Sequence, residues 1–296
     1  MLPYCGFGSI ESFDCIEFYE KNIQKTLLSS SSHMKILLDC ANGATTHIAK
    51  KIFQGYYPNI ITINDDGKGE LINKNSGCSN PELLIQAIQQ HHADWGCAFD
   101  GDGDRVIIAH TDGSIFDGDD ILVVLSQHPT FAQETIFVGT IMTNNAIEQY
   151  FKDQHKTFLR TDVGERNIIC ALDQHHAQLG SEACGHISVM NHALCSDGIF
   201  TALLFFETIV SNPNTLKKLP KKFSQLHATI LLKKIRSTDH EIDLLIQKTN
   251  TTIHPGRIII RKSNTEPVMR LTVEHPNEHV TLNIFNHIKE IISHPL

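Results

Sequence analysis

The chain has 296 residues, 41% of them hydrophobic and 20% charged, which is the balance of a folded globular protein with room for two or three domains. Its formal net charge of -8 argues against a surface built to neutralise nucleic-acid phosphates. No run of about 18 apolar residues occurs, and the first residues lack a basic start followed by an apolar core, so no membrane span or signal peptide is expected and the expected location is cytoplasmic.

Ser9 to Leu28 reads as one amphipathic helix with no domain of its own to pack on, followed by a flexible joint from Ser29 to His33. From Lys35 onward, short apolar runs alternate with amphipathic stretches, as in α/β proteins with helices on both sheet faces. Lys35 to Asp39 is a strand, Cys40-Ala41-Asn42-Gly43 a turn and Ala44 to Gln54 a helix. Asn59 to Ile63 is the next strand, with a long polar loop to Asn80 and a helix from Pro81 to His92. Trp95 to Phe99 is an apolar strand that runs into an acidic glycine loop, and Val106 to Ala109 stays extended as far as the turn at Asp112-Gly113.

A second set follows: a strand from Thr135 to Val138, helices from Asn144 to Lys152 and Glu165 to Gln174, and a strongly apolar helix from Asp197 to Val210. Lys217-Lys218 and Lys221-Lys222 read as a solvated linker. The last part has a strand (Ala228 to Lys233), a helix (Asp239 to Lys248), two strands around Arg261 to Arg270 and a closing helix (Asn277 to Ile292). The expected fold class is α/β, with two consecutive α/β sheet domains followed by a smaller α+β C-terminal domain. The expected divisions are 1–34 (helix and joint), 35–128, 129–223 and 224–296. The 8 cysteines include no C-x-x-C pair and the 18 histidines no H-E-x-x-H, so reduced, mostly buried thiols are expected and no zinc site.

Three motifs carry chemistry. In Asp100-Gly101-Asp102-Gly103-Asp104-Arg105, three carboxylates in five residues repel one another unless a cation holds them. The glycines allow them to turn inward, and hard oxygens in this number suit Mg²⁺; an exposed acidic turn and a calcium loop are the competing readings. In Arg261-Lys262-Ser263-Asn264-Thr265-Glu266-Pro267, with Arg270 beyond it, guanidinium groups, hydroxyls and amides could cradle a phosphate, or form a polar hairpin turn. Ser181-Glu182-Ala183-Cys184-Gly185-His186 is a polar interruption whose carboxylate could grip sugar hydroxyls, or simply an ordinary loop.

Taken in order, the three loops resemble those of the α-D-phosphohexomutases, and within that superfamily the phosphoglucosamine mutases. Ile16-Glu17-Phe18-Tyr19, the run from Asp39 to Ala49, Ala98-Phe99, Asp117-Gly118-Asp119, Val163-Gly164-Glu165-Arg166 and Asp197-Gly198-Ile199 share the likeness, which extends over nearly the whole chain from Ser9. The resemblance implies four domains around one cleft, and Mg²⁺ held by Asp100, Asp102, Asp104 and a phosphoserine. It also implies Arg105 as the adjoining catalytic phosphate contact, a sugar grip at Glu182, Cys184 and His186, and a phosphate site at Arg261, Ser263, Asn264, Thr265 and Arg270. Ser181 and Cys184 stand where Gly and Ser are usual, Asp162 where Lys is common, and Asn264 where Gly is usual.

Family members carry the reactive serine in a T-x-S-H-N-P-like segment ahead of the first helix, and no such segment occurs in these residues; Ser32-His33 is not expected to replace it. The expectation is therefore a phosphoglucosamine mutase lacking its phosphoserine domain and inactive alone. It would bind Mg²⁺ and a hexosamine or hexose phosphate. The alternatives are a non-catalytic phosphosugar-binding protein, or the larger half of a split mutase whose N-terminal domain is a separate polypeptide.

Overall fold

The computed structural model describes residues 11, 15–27, 33–232, 235, 238–263 and 266–293. Helix α1 (Ile16–Thr26) comes first, and then a five-stranded sheet is built from β1 (Lys35–Asp39), β2 (Asn59–Ile63), β3 (Trp95–Phe99), β4 (Val106–His110) and β5 (Ile115–Phe116), with helices α2 (Ala49–Gln54) and α3 (Pro81–His91). The strand order is β2-β1-β3-β4-β5, parallel across β2, β1 and β3 and antiparallel from β3 onward. Every residue of β3 is buried, as befits a strand covered on both faces. Leu84 and Ile88 of α3 cover one face, against Leu37, Ala98 and Ala109.

A second sheet follows α4 (Gly118–Leu125), made of β6 (Ile136–Thr140), β7 (Thr157–Thr161), β8 (Leu179–Ser181) and β9 (Ile187–Val189), with α5 (Asn145–Asp153) and α6 (Glu165–Gln174). Its order is β7-β6-β8-β9, and only β8–β9 is antiparallel. Helix α7 (Gly198–Ser211) is hydrophobic nearly all round, and every residue from Gly198 to Ile209 is buried. Its Phe205 and Phe206 meet Trp95 with ring centroids 5.9 and 5.8 Å away, and the same apolar cluster takes in Phe137, Phe151 and Leu179 of the second sheet region. One core therefore joins both sheets. A third sheet, β10 (Ser224–Leu231), β11 (Arg257–Lys262) and β12 (Val268–His275) in the order β10-β12-β11, is antiparallel, carries α8 (Asp239–Thr252) and α9 (Glu278–Ser293), and has its own apolar cluster around Leu271, Val273 and Ile288.

Several sequence expectations are corrected. Helix α1, expected to have no domain of its own, packs on the large core: Ile23, and Leu27 just past the helix end, enter that core, and the Tyr19 hydroxyl donates to Asp197 at the start of α7 at 2.9 Å. Ala44 to Gln54 is not one helix, because a 3₁₀ turn (Ala44–His47) precedes α2. Thr45 Oγ1 donates back to the Cys40 carbonyl, and the Ala44 amide is committed to the Gly101 carbonyl. Of the described cysteines, Cys40, Cys78 and Cys97 are buried, while Cys15, Cys170, Cys184 and Cys195 are exposed, since exposure follows tertiary placement rather than residue type. Lys222 is not simply solvated, because its ammonium pairs with Asp117 and Asp120 at the head of α4.

That last cluster gives a pH prediction. Asp119 is buried, its Oδ2 accepts from the Asn144 amide at 2.8 Å, and its Oδ1 has no hydrogen-bond partner. Burial, and then the Asp117 charge, push the Asp119 carboxyl up to about 7. A fold that binds a proton more tightly than the unfolded chain loses stability as pH rises from the unfolded value, about 4, through the folded one, and is flat above it. Asp119→Asn should therefore gain on the wild type between about pH 4 and 7, read as the difference in urea unfolding free energy at pH 5 and pH 8. An equal difference at both pH values would show that Asp119 does not titrate there.

Candidate metal and sugar site

The acidic loop leaves the C-terminal end of β3 and is folded by its own backbone. Asp100 Oδ1 accepts from the amides of Gly103 and Arg105, both at 3.1 Å, and Asp100 Oδ2 accepts from Arg105 Nε at 2.8 Å. Burial would raise the Asp100 carboxyl, but the Arg105 amide, a hydrogen bond with Asp102 and the guanidinium outweigh it and hold the group below the usual range. Asp102 is exposed. Asp104 is raised, first by burial and then by the charges of Asp100 and Asp102, against the pull of His186.

Carboxylate oxygens of Asp100, Asp102 and Asp104 lie within 4.8 Å of one another, and Asp104 Oδ1 is buried without a hydrogen-bond partner. Clustered hard oxygens with an unmet acceptor fit a small divalent cation such as Mg²⁺. Arg105 is committed to Asp100 here, so any contact with a phosphate would be made by the rest of its guanidinium.

The second loop closes the β8–β9 hairpin and meets the first. Arg105 and His186 form an isolated antiparallel bridge, and the Val106 amide donates to the Gly185 carbonyl at 3.1 Å. Gly118, at the start of α4, has to be glycine, because a Cβ there would sit 1.9 Å from the Glu182 carbonyl oxygen. Glu182 Oε1 accepts from the Gly164 amide at 2.8 Å, Glu182 Oε2 lies 3.1 Å from His186 Nδ1, and His186 Nε2 lies 3.2 Å from Asp104 Oδ2. An imidazole thus joins the two loops through their carboxylates. Burial would lower the His186 pKa, but Cys184, Glu182 and Asp104 around the ring push it up to about 10, which makes it an imidazolium at neutral pH. Glu182 is correspondingly lowered, since His186 and the Gly164 amide overcome its burial.

The β11–β12 turn belongs to the third sheet. Arg261 and Arg270 stand directly opposite each other, an unfavourable like-charge pair unless an anion lies between them. Arg261 Nε is buried without a hydrogen-bond partner, Arg270 Nη2 donates to Glu266 at 3.0 Å, and Ser263 Oγ accepts from the Glu266 amide at 3.3 Å. Asn264 and Thr265 lie outside the described residues.

Comparison with known proteins decides the family. Residues 16–113 match the family described as phosphoglucomutase/phosphomannomutase, alpha/beta/alpha domain II, and residues 117–226 match domain III of the same family. The chain belongs to the phosphoglucomutase/phosphomannomutase family. The phosphoglucosamine mutase of Natranaerobius thermophilus is 30% identical over 291 residues, 95% of this chain and 66% of that protein. That of Cupriavidus metallidurans is 36% identical over 200 residues, 67% of this chain and 45% of that protein. The chain thus spans between about half and two thirds of the length of these curated relatives.

Among solved structures, a phosphoglucomutase/phosphomannomutase family protein from Burkholderia thailandensis superposes with a TM-score of 0.80 at 21% identity, over 98% of this chain and 67% of that one. N-acetylphosphoglucosamine mutase of Aspergillus fumigatus, solved with GlcNAc-6P and magnesium, gives 0.70 at 16% identity, over 94% and 64%. Both show that this chain has the phosphohexomutase fold.

Sequence reasoning missed the residues that hold the two loops together. Gly164, which supplies an amide to Glu182, and Gly118, which makes room for it, were visible only as parts of family-like runs. It also missed a cavity of about 620 Å³ beside Asp102 and Asp104, walled by Phe18 and Tyr19 of α1, Glu165 and Asp197. No sequence signal placed α1 against that loop.

Proposed function

We propose that these residues form the magnesium-, sugar- and phosphate-binding portion of a phosphoglucosamine mutase, which interconverts glucosamine 6-phosphate and glucosamine 1-phosphate. The observation that supports it most is the line Asp104–His186–Glu182, with contacts of 3.2 and 3.1 Å, which couples the acidic loop to the loop read as the sugar grip. Asp100, Asp102 and Asp104 would hold Mg²⁺, which when bound offsets charge on a transferring phosphoryl group. Glu182 accepts from vicinal sugar hydroxyls, and His186 fixes its orientation. Arg261 and Arg270, with Ser263, Asn264 and Thr265, hold the phosphate that is not reacting, using charge-assisted bonds.

The reading includes a need for a phosphoserine. No T-x-S-H-N-P-like segment is among the 296 residues, so binding without turnover is proposed for them alone, with the serine supplied by a further domain or by a separate polypeptide. An isomerisation assay with and without a phosphoserine-bearing first domain tests this: turnover should equal buffer without it and appear with it. Strong turnover by the 296 residues alone overturns the proposal. In calorimetry, weak Mg²⁺ binding should disappear in Asp102→Ala. Arg270→Ala should abolish binding of both glucosamine 6-phosphate and inorganic phosphate, while Glu182→Ala should weaken only the sugar phosphate. Equal losses of both ligands in Glu182→Ala would remove the carboxylate from the sugar site.

A further inference from the structure

We propose that Glu182, Cys184 and His186 form a second cation site, selective for a thiophilic divalent ion of the zinc type and distinct from the aspartate loop. Cys184 Sγ lies 3.3 Å from His186 Nδ1, which itself lies 3.1 Å from Glu182 Oε2, and one ligand atom from each residue falls within 4.8 Å of the others. Zinc holds sulfur at about 2.3 Å and nitrogen or oxygen at about 2.0–2.2 Å, which in a tetrahedron separates ligand atoms by roughly 3.3–3.7 Å. The sulfur–nitrogen and nitrogen–oxygen separations are therefore within a few tenths of an ångström of that arrangement, and the sulfur and the carboxylate oxygen lie within 4.8 Å of each other; the cation would take the place of the proton on Nδ1 and displace the thiol proton.

The surroundings match those of a bound imidazole. Asp104 Oδ2 lies 3.2 Å from the far ring nitrogen, Nε2, and a carboxylate in that position fixes the tautomer and orientation of a metal-bound histidine. The loop is also held in place beforehand. The Glu182 amide donates to the His186 carbonyl at 2.9 Å, and the Gly185 amide to the Glu182 carbonyl at 3.0 Å. Gly185 sits at φ +106, where a Cβ would meet the Val106 carbonyl oxygen at 2.6 Å, so the turn accepts only glycine and has one shape.

Cys184 is exposed, which gives an ion a path from solvent and leaves the fourth position to water. Sulfur, nitrogen and a single oxygen disfavour Mg²⁺, whereas the all-oxygen loop at Asp100, Asp102 and Asp104 offers a thiophilic ion no soft ligand. Two neighbouring sites follow, of which only the one with sulfur and nitrogen discriminates against Mg²⁺. Because the thiophilic site uses Glu182, its occupation removes the carboxylate assigned above to sugar hydroxyls, and that consequence rests on the proposed function.

The test uses the 296-residue chain and Co²⁺ as a spectroscopic substitute. One equivalent should bind with a near-ultraviolet thiolate-to-cobalt charge-transfer band, and Zn²⁺ should displace it. The band should vanish in Cys184→Ser and in His186→Ala but persist in Asp102→Ala. Because Cys184 is exposed, the serine variant should keep the wild-type circular dichroism. Absence of the band at saturating Co²⁺, a band that survives Cys184→Ser, or one lost in Asp102→Ala would overturn the site. Glucosamine 6-phosphate affinity is measured separately: a normal band whose Zn²⁺ counterpart leaves that affinity unchanged supports the cation site and counts against Glu182 as the sugar ligand.

Discussion

Gly43→Ala should remove the calorimetric signal of Mg²⁺ binding, although Gly43 contributes no ligand. Its backbone runs so close to the acidic loop that an added Cβ would lie 2.2 Å from the Gly101 carbonyl oxygen and 2.7 Å from Gly101 C and Cα. These are main-chain atoms, which cannot swing aside like the end of a side chain. The neighbouring Ala44 amide donates to that same carbonyl at 2.8 Å, so Gly101 is held from the side on which it would be pushed. Gly101 separates Asp100 from Asp102, and any shift of its peptide spreads the carboxylates. A loss of at least tenfold, about 1.4 kcal/mol, is expected. Gly69→Ala, with nothing within 4 Å of the new methyl group, is the control and should bind normally. Unchanged affinity in Gly43→Ala would mean that the aspartates do not hold an ion as a unit.

The largest loss of stability should come from Phe206→Ala. The ring is fully buried, with centroids 6.4 Å from Phe53, 5.8 Å from Tyr57 and 5.8 Å from Trp95. Truncating a buried phenylalanine typically costs about 3–5 kcal/mol, because transfer energy is lost and the cavity is only partly filled. Trp95 is the single tryptophan, so its fluorescence reports this part of the core directly during urea unfolding. Since the same cluster reaches Phe137 and Phe151, fluorescence and the far-ultraviolet dichroism of the first two sheets should lose stability together. A loss under about 1 kcal/mol would show that α7 repacks to fill the space.

The strands most legible in the sequence were those buried on both faces. β1 and β3 read as short apolar runs because helices cover each side, whatever the partner. Helix α4 was not read, because after Asp119 and Asp120 it is an unbroken apolar run from Ile121 to Leu125, buried throughout, with no polar position to mark a helical period. β8 and β9 are three residues each, too short for alternation to register. The aspartate loop was legible because its carboxylates are adjacent in sequence. Its partner was not, because His186 reaches Asp104 across 82 residues, a closeness created only by the bridge between the two sheets. Cys184 drew notice as a departure from the family pattern, but nothing in the spacing E-x-C-x-H indicated that its sulfur would lie against the histidine ring.

The attachment of the third sheet differs in kind from the union of the first two. Asn144 and Asn145, at the start of α5, carry it by polar contacts: Asn144 exchanges hydrogen bonds with Phe223, and Asn145 contacts Glu274 and the Pro255 carbonyl. Arg257 Nη2 adds a bond to the Thr143 carbonyl at 2.6 Å, while the apolar cluster of this sheet is its own. Parting the first two sheets would open voids that water cannot fill favourably. Tilting the third would mainly exchange protein hydrogen bonds for bonds to solvent, so the seam at Asn144 and Asn145, beyond which stand Arg261 and Arg270, resists separation less than the shared core of the first two sheets does.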